Sequence, residues 1–558
     1  MGGVMDEGGI GKQLWIKSRN DLVFAKYTPF FVCLASGHLD SRTLRHCISQ
    51  EPYLLKAFAH AYKLAEECAD DEEDKSSIRM LRKRVKDRLQ IHDALVLEWG
   101  FKVPEESTCD QTTAKYTEFL LATALGKAEE GKILGSIATP FEKTKIAAYT
   151  LAAIAPCIRL YATISKEIQC LIDPDDGSQN YKKWVDNCCS QNLEVSVSHI
   201  EDVLDRLSVS LTGEELEVIQ KLYHQAMKLQ VEFFTAQPLV QKTIVPLSRV
   251  HGNAGCCLSI FCDFDLTCTT VDSSAILAEL ALITALKVDP DVSVAQLARM
   301  PSAELRRTWD FLSVQYAEEY DQCIESILLL GKVENFSNEL LYQAFQQLTD
   351  FEKLANTRVV QSGVLKGLNL EDIKRAGHLL GLHDGCKGFF QKVVDNEDLK
   401  TDIHVLSYCW CGDLIRSAFA SGDLSSLKVH SNELAFEEST STGEIIKKVE
   451  SPLEKLQVFK DVLKDRGNSE QHLTIYIGGS VGDLLCLLEA DIGIVIGPSP
   501  SLMSLGRQFG VSFVPLFPGL VKKQRELVGS GSPNWKPLSG VLYTVSTWSE
   551  IHAFILGS

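Results

Sequence analysis

The hydrophobic period of this chain changes partway along its length, and that change demands two architectures in one polypeptide. Over residues 14–237, apolar side chains recur at spacings of three and four, most clearly in 44–68, 115–125, 143–166 and 214–235. That spacing puts them on one face of a helix. Breaks are expected at Gly37, at Val103-Pro104, at Thr139-Pro140 and across residues 173–177. The acidic run 66–73 reads as a solvated helix end or loop. Strand-like alternation is nearly absent, so an all-helical bundle is expected. Residues 238–256 carry two prolines and two glycines without a long period, and read as a linker. Beyond them, short apolar runs end in small or acidic residues: 257–262 before Asp263, 403–406 before Ser407, 473–477 before Gly478, and 492–496 before Gly497. Buried parallel strands separated by helices have this form. An α/β domain over 257–558 follows, with a long helical stretch at about 273–390 that is too long for a simple crossover and reads as a cap.

Strands of a doubly wound sheet deliver chemistry at their C-terminal ends. The first run delivers Asp263-Phe264-Asp265-Leu266-Thr267, two carboxylates at i and i+2. Phosphoryl transfer from a monoester needs a nucleophile, a proton donor for the leaving oxygen, and cations to offset charge on the phosphoryl oxygens. Asp263 can attack phosphorus, Asp265 can protonate the leaving alcohol and then activate water, and Thr267 can hold the phosphate or the loop. The competing reading is a helix cap, which Asp and Thr both make well. Three further residues favour chemistry. Ser407 ends the second run and can bond a phosphoryl oxygen. Lys455 precedes the third and can neutralise phosphate, although Lys447 and Lys448 are close by. Asp483, in Gly478-Gly479-Ser480-Val481-Gly482-Asp483, falls where a metal-binding carboxylate is needed. Mg²⁺ takes oxygen ligands, often one or two carboxylates plus water.

The order D-x-D-x-T, Ser, Lys, acidic loop resembles the haloacid dehalogenase (HAD) phosphatase superfamily. The resemblance implies a Rossmann-like α/β fold with a helical cap, an aspartyl-phosphate intermediate on Asp263, and Mg²⁺ held by Asp263, Asp265 and Asp483. The chain departs from the family at Gly479, where the acidic loop usually carries its first aspartate. On that alignment, Gly479→Asp is expected to tighten Mg²⁺ binding.

In the first half, Gln50-Glu51-Pro52-Tyr53, Tyr116-Thr117-Glu118-Phe119, Ala155-Pro156-Cys157-Ile158-Arg159-Leu160-Tyr161 and Tyr181-Lys182-Lys183-Trp184 resemble the TenA family, in order and in helical setting. The resemblance implies a haem-oxygenase-like bundle that hydrolyses aminopyrimidine breakdown products of thiamin. It makes Cys157 the nucleophile and puts Glu51, Tyr116, Tyr161 and Gln230 around the ring. Cys157 and Tyr161, at i and i+4, share a helix face; without the resemblance, Cys157 reads as a buried core thiol. The chain departs from the family at Glu51 (usually aspartate), at Cys188 (usually tyrosine) and at Gln230 (usually glutamate). A TenA bundle ahead of a HAD domain is similar to the bifunctional plant thiamin-salvage family. That implies hydrolysis of thiamin monophosphate alongside recovery of the aminopyrimidine, and an oligomer formed through the bundle.

A formal charge of −18 argues against nucleic acid or an anionic membrane as partner. No apolar run reads as long enough to span a bilayer. The 17 cysteines form no pair of C-x-x-C knuckles, and the start shows no secretory or Arg-rich targeting pattern. The chain therefore reads as cytoplasmic, with an organellar form as the alternative. Two other functions compete: a HAD phosphatase acting on another small monoester, and a non-catalytic binder. The cap aromatics Trp309, Phe311, Tyr316 and Tyr320 read as core or lid, and their helical spacing favours core.

Overall fold

The computed structural model describes residues 8–98, 108–127, 140–172, 179–252, 257–286, 300–333, 336–397, 399–420, 424, 426–464, 472–531 and 535–558. The chain divides into two compact units. One comprises Met1–Pro246, Leu520–Pro533 and Gly557–Ser558; the other comprises Leu247–Gly519 and Asn534–Leu556.

The first unit is built from helices α1 Ile10–Lys17, α2 Arg19–Lys26, α3 Pro29–Ala35, α4 Ser41–Cys68, α5 Glu72–Glu98, α6 Gln111–Ala124, α7 Pro140–Gln169, α8 Gln179–Cys188, α9 Gln191–Ser208 and α10 Gly213–Thr235. Local chemistry sets the ends. Asp40 accepts the Arg42 amide and starts α4. Thr212 and Glu215 form a reciprocal capping box that starts α10. Gly37 follows the end of α3 and Pro140 opens α7, as expected; Val103-Pro104 and residues 173–177 lie outside the described residues. The acidic run 66–73 spans the end of α4 and the start of α5.

Helix α7 is the core of the bundle and packs against α4, α9 and α10. Its residues Ala147, Ala148, Leu151, Ala152, Ala153 and Ile154 have no exposed surface. Small side chains there let neighbouring helices approach on several sides. This corrects one expectation, since Glu142–Gln169 is long and apolar enough to cross a membrane, and 78% of its most apolar window is buried inside the protein. Its charges, Lys143, Lys145 and Arg159, had masked the run. An aromatic cluster of Phe30, Phe31, Phe233 and Phe234 closes one side, with ring centroids 4.4–5.5 Å apart.

The second unit opens with a short helix, α11 Leu247–Gly252, inside the expected linker; residues 253–256 lie outside the described residues. The strands are β1 Cys257–Cys262, β2 Thr401–Leu406, β3 Lys428–His430, β4 Glu433–Glu437, β5 Thr440–Ile446, β6 His472–Gly478, β7 Ile492–Ile496, β8 Ser512–Pro515 and β9 Val541–Val545. Seven form a parallel sheet in the order β3-β2-β1-β6-β7-β9-β8, and β4-β5 is a separate antiparallel hairpin. Strand order reverses between β1 and β6. At such a switch point the loops after the two strands diverge and leave a crevice. Those loops carry Asp263 and Asp483.

The remaining helices are α12 Ser273–Leu286, α13 Ser302–Leu328, α14 Asn338–Ser362, α15 Leu370–Leu379, α16 Cys386–Val394, α17 Gly412–Ala420, α18 Pro452–Lys464, α19 Leu484–Glu489, α20 Pro500–Gln508, α21 Leu516–Ser530 and α22 Trp548–Ile555. The stretch 273–390 holds two different packings. Helices α13 and α14 pack on each other and reach α20 and α18. Helices α15 and α16 pack instead on α17 and α22, flanking the sheet. The close approach of α15 needs Gly377, because a Cβ there would lie 2.6 Å from the Leu414 carbonyl. Phe389 and Phe390 of α16 pack on Trp548 at 5.6 and 5.5 Å.

Candidate active sites

In the second unit, the end of β1 brings Asp263 to the switch point, where its amide bonds the Ile477 carbonyl of β6 at 2.9 Å. Lys455, on the first turn of α18, is fully buried. Its Nζ lies 2.7 Å from Asp263 Oδ1 and 2.7 Å from Asp483 Oδ1. It also lies 4.5 Å from the centre of the Tyr408 ring. Lys447 and Lys448 are elsewhere, beside Glu450 and Glu433. Thr267 is buried, with its hydroxyl 3.5 Å from Asp263 Oδ2. Asp265 accepts the Ser273 amide at 2.7 Å, the Ser273 hydroxyl at 3.0 Å and the Ser407 hydroxyl at 3.4 Å. Asp263, Asp265 and Thr267 open onto a cavity of about 520 Å³.

The charges here are unequal. Burial raises the Asp483 carboxyl, but Lys455 and the Ser480 donors outweigh it and hold it below the ordinary range. Burial, and then the charge of Asp483, push Asp263 well above that range, with Lys455 pulling the other way. Burial and the charge of Asp272 push Asp265 up to about 7, against the Ser273 bonds. Burial opposes the Lys455 charge, yet Asp263 and Asp483 together hold it above its ordinary range.

The expected metal set needs correction. Asp483 Oδ1 accepts from Lys455 and, at 2.9 Å, from the Tyr476 hydroxyl. Its Oδ2 accepts from the Gly479 amide, the Ser480 amide and the Ser480 hydroxyl at 3.1, 2.9 and 2.7 Å. Five donors saturate a carboxylate, so Asp483 has no lone pair left for a metal. The Asp265 carboxylate accepts three donors from Ser273 and Ser407, one on Oδ1 and two on Oδ2. Among the described residues no group of three or more His, Cys, Asp or Glu is placed to hold a metal ion. What fits a cation is the charge balance, with Asp263, Asp265 and Asp483 facing one lysine, and Asp263 Oδ2, whose one side-chain neighbour is Thr267 at 3.5 Å. One carboxylate oxygen with water and substrate oxygens is an acceptable Mg²⁺ set.

Gly479 is also not a vacant ligand position. A Cβ at this residue would sit 2.4 Å from the Ile496 carbonyl and 3.2 Å from that of Gly497. The loop after β6 packs backbone to backbone on the end of β7, so Gly479→Asp would displace the loop instead of adding a ligand.

The first unit holds a cavity lined by Glu51, Tyr62, Arg84, Arg88, Cys157 and Tyr161, among others. Cys157 is buried on α7, and Tyr116 adjoins it while bonding the Ala153 carbonyl at 3.3 Å. Glu51 accepts the Trp184 indole N–H at 3.2 Å. The Tyr161 ring packs on Trp184 and Phe234 at 6.0 and 5.4 Å. The hydroxyls of Tyr62 and Tyr161 and both amide atoms of buried Gln230 lack hydrogen-bond partners among the described residues. Orphaned polar atoms are rare in native interiors, and the Tyr62 and Tyr161 side chains line the cavity with Cys157, where a polar ligand would complete their hydroxyls. Gln230 adjoins Tyr116 and does not line the cavity. Burial pushes the Cys157 thiol up to about 12, and Arg88 is the main group pulling it down. Cys188 receives an Arg88 N–H at 3.8 Å.

Several residues here went unread. Ser480 and Asp483 form a capping box, and the S-x-x-D spacing was in the sequence as the signal. Tyr476 was visible as the one phenol inside β6. Arg88 had no signal, since it is one basic residue of many on α5.

Residues 141–238 match the model of the TENA/THI-4/PQQC family. The chain is similar to the mitochondrial bifunctional TH2 protein of Arabidopsis thaliana, at 56% identity over 555 residues, 99% of this chain and 90% of that one. It is similar to an aminopyrimidine aminohydrolase of Staphylococcus aureus at 22% identity over 210 residues, 37% of this chain and 83% of that one. Among solved structures, a phospho-aspartyl intermediate analogue of phosphoserine phosphatase aligns at 14% identity and a TM-score of 0.27, covering 45% of this chain and 90% of that one.

The buried ion triplet generates a stability prediction. Lys455→Met leaves two buried carboxylates without their cation and should cost about 3–5 kcal/mol, read as a lower denaturation midpoint. Adding Asp483→Asn should recover part of the loss. Unchanged stability in Lys455→Met would contradict the triplet.

Proposed function

Because the chain belongs to the family of the bifunctional TH2 protein, we propose that it is a two-site thiamin-salvage hydrolase. Its second unit hydrolyses thiamin monophosphate to thiamin and phosphate, and its first hydrolyses an aminopyrimidine. The observation that carries the phosphatase reading is the Lys455 bridge between Asp483 and Asp263, which lines a cavity.

In this reading Asp263 Oδ2 attacks phosphorus in line with the ester oxygen. The ester P–O bond breaks, and Asp265, poised near 7, donates its proton to the leaving alcohol. Asp265 then takes a proton from water as that water attacks the aspartyl phosphate, which releases phosphate and restores Asp263. Lys455 offsets charge on Asp263 throughout, and Asp483 positions Lys455. The Ser407 and Thr267 hydroxyls turn from Asp265 and Asp263 to the phosphoryl oxygens. Mg²⁺, which Asp263 would help to hold, would supply the remaining positive charge when bound.

In the first unit, Cys157 adds to the pyrimidine carbon that bears the amine, ammonia leaves, and water releases the ring. Glu51, Tyr116 and Tyr161 are the binding residues of this reading. A thiol held near 12 and a glutamine in place of a carboxylate favour slow turnover here, with ligand binding as the second reading. Self-association through this unit stays within the proposal. The mitochondrial designation of the Arabidopsis relative favours the organellar form over the cytoplasmic placement.

Asp263→Asn should abolish phosphate release from thiamin monophosphate while leaving the fold intact, read as an unchanged circular-dichroism spectrum; retention of most turnover would remove Asp263 as nucleophile. Cys157→Ser should abolish ammonia release from the aminopyrimidine and leave phosphate release unaffected. A mutant as active as wild type would make Cys157 a core thiol.

A further inference from the structure

The 520 Å³ cavity that Asp263 lines is far larger than a phosphate needs, and aromatic side chains form part of its wall. Trp309 and Trp410 meet edge to face at 6.1 Å, while Tyr316 and Tyr320 stack at 5.9 Å. Sequence spacing assigned Trp309, Phe311, Tyr316 and Tyr320 to a core. In the structure Trp309, Tyr316 and Tyr320 line the chamber, Tyr316 is 40% exposed, and Phe311 is 66% exposed and does not line it. Aromatic faces turned to an open chamber are ready-made surfaces for a flat ring or a cation.

The charge of the wall runs against the phosphate. Asp263, Asp265, Asp272 and Glu352 line the chamber, and the cationic lining residue, Arg358, is already paired with Glu319 at 2.6 Å. A dianionic substrate enters such a chamber more readily if its organic part is positive. Glu352 is the carboxylate among the aromatics. Its hydrogen bond comes from the neutral Tyr316 hydroxyl at 2.9 Å, and no Lys, Arg or His pairs with it among the described residues. Burial pushes it up to about 7, the mark of a carboxylate without a counter-charge.

We propose that this chamber is a subsite for a flat heteroaromatic cation carried by the phosphomonoester. Glu352 is its counter-charge, and Trp309, Tyr316, Tyr320 and Trp410 are its aromatic walls. The inference rests on reading the cavity as a phosphomonoester site. It adds that selectivity comes from the positive ring, with Glu352 as its specificity residue.

The test is calorimetric binding of thiamin, a permanent cation without phosphate, to the full-length wild type and to Glu352→Gln, beside a neutral hydroxyethylthiazole. Wild type should bind thiamin. The substitution should weaken thiamin by about tenfold or more, the scale of a charge-assisted contact, with a clearly smaller effect on the neutral thiazole. The ratio of kcat/KM for thiamin monophosphate over p-nitrophenyl phosphate should fall in the same proportion. No thiamin binding by wild type, equal binding by both proteins, or equal loss of both ligands would overturn the subsite. Phosphate release from p-nitrophenyl phosphate by wild type judges the phosphatase reading separately, because thiamin binding needs no turnover.

Discussion

One buried ammonium shared by two buried carboxylates organises the second unit. Lys455 has no exposed surface, and neither does Asp483. Burying such charges is tolerable when each is matched and hydrogen-bonded. The lysine is matched twice, and Asp483 is bound by five donors from Lys455, Tyr476, Gly479 and Ser480. Asp263 receives one strong bond from the pair and keeps an oxygen for chemistry. The triplet thus separates its two carboxylates: one is saturated with donors, the other is incompletely satisfied.

The sheet makes that triplet reachable. The reversal of strand order between β1 and β6 puts the two aspartates on adjacent diverging loops, and α18 presents Lys455 between them. Backbone packing then constrains the loops. Gly479 lies against the β7 carbonyls with no room for a Cβ, so the loop after β6 is fixed by contact and its aspartate is held for the lysine.

Much of this was legible because it rests on local pattern. The change of hydrophobic period marked the two architectures. Four buried strands were readable as apolar runs, and the D-x-D-x-T string stood after the first. What escaped depends on tertiary context. β3 and β8 are three and four residues long, below the length at which alternation speaks. Asp483 was readable as a carboxylate in an acidic loop, but its direction was not; only the S-x-x-D spacing hinted at a cap. Trp309 and Tyr316 carry a helical period that cannot distinguish a core from the wall of a chamber. Arg88 is one cation of many on α5, and only folding puts it beside Cys157.

The two units present a chemical contrast. In the second, a cation lies 2.7 Å from Asp263, the proposed nucleophile. In the first, Cys157 is held near 12 by burial, with orphaned hydroxyls around it. The central claim is that Asp263 is the atom-transferring residue of the second unit. It is tested most directly by acid-quenching the full-length protein during turnover of thiamin monophosphate and mapping the phosphorylated peptide by mass spectrometry. The account predicts an acid-stable, base-labile phosphoryl group on the peptide containing Asp263. Sustained phosphate release with no phosphorylated peptide, or with the label on another residue, would contradict it.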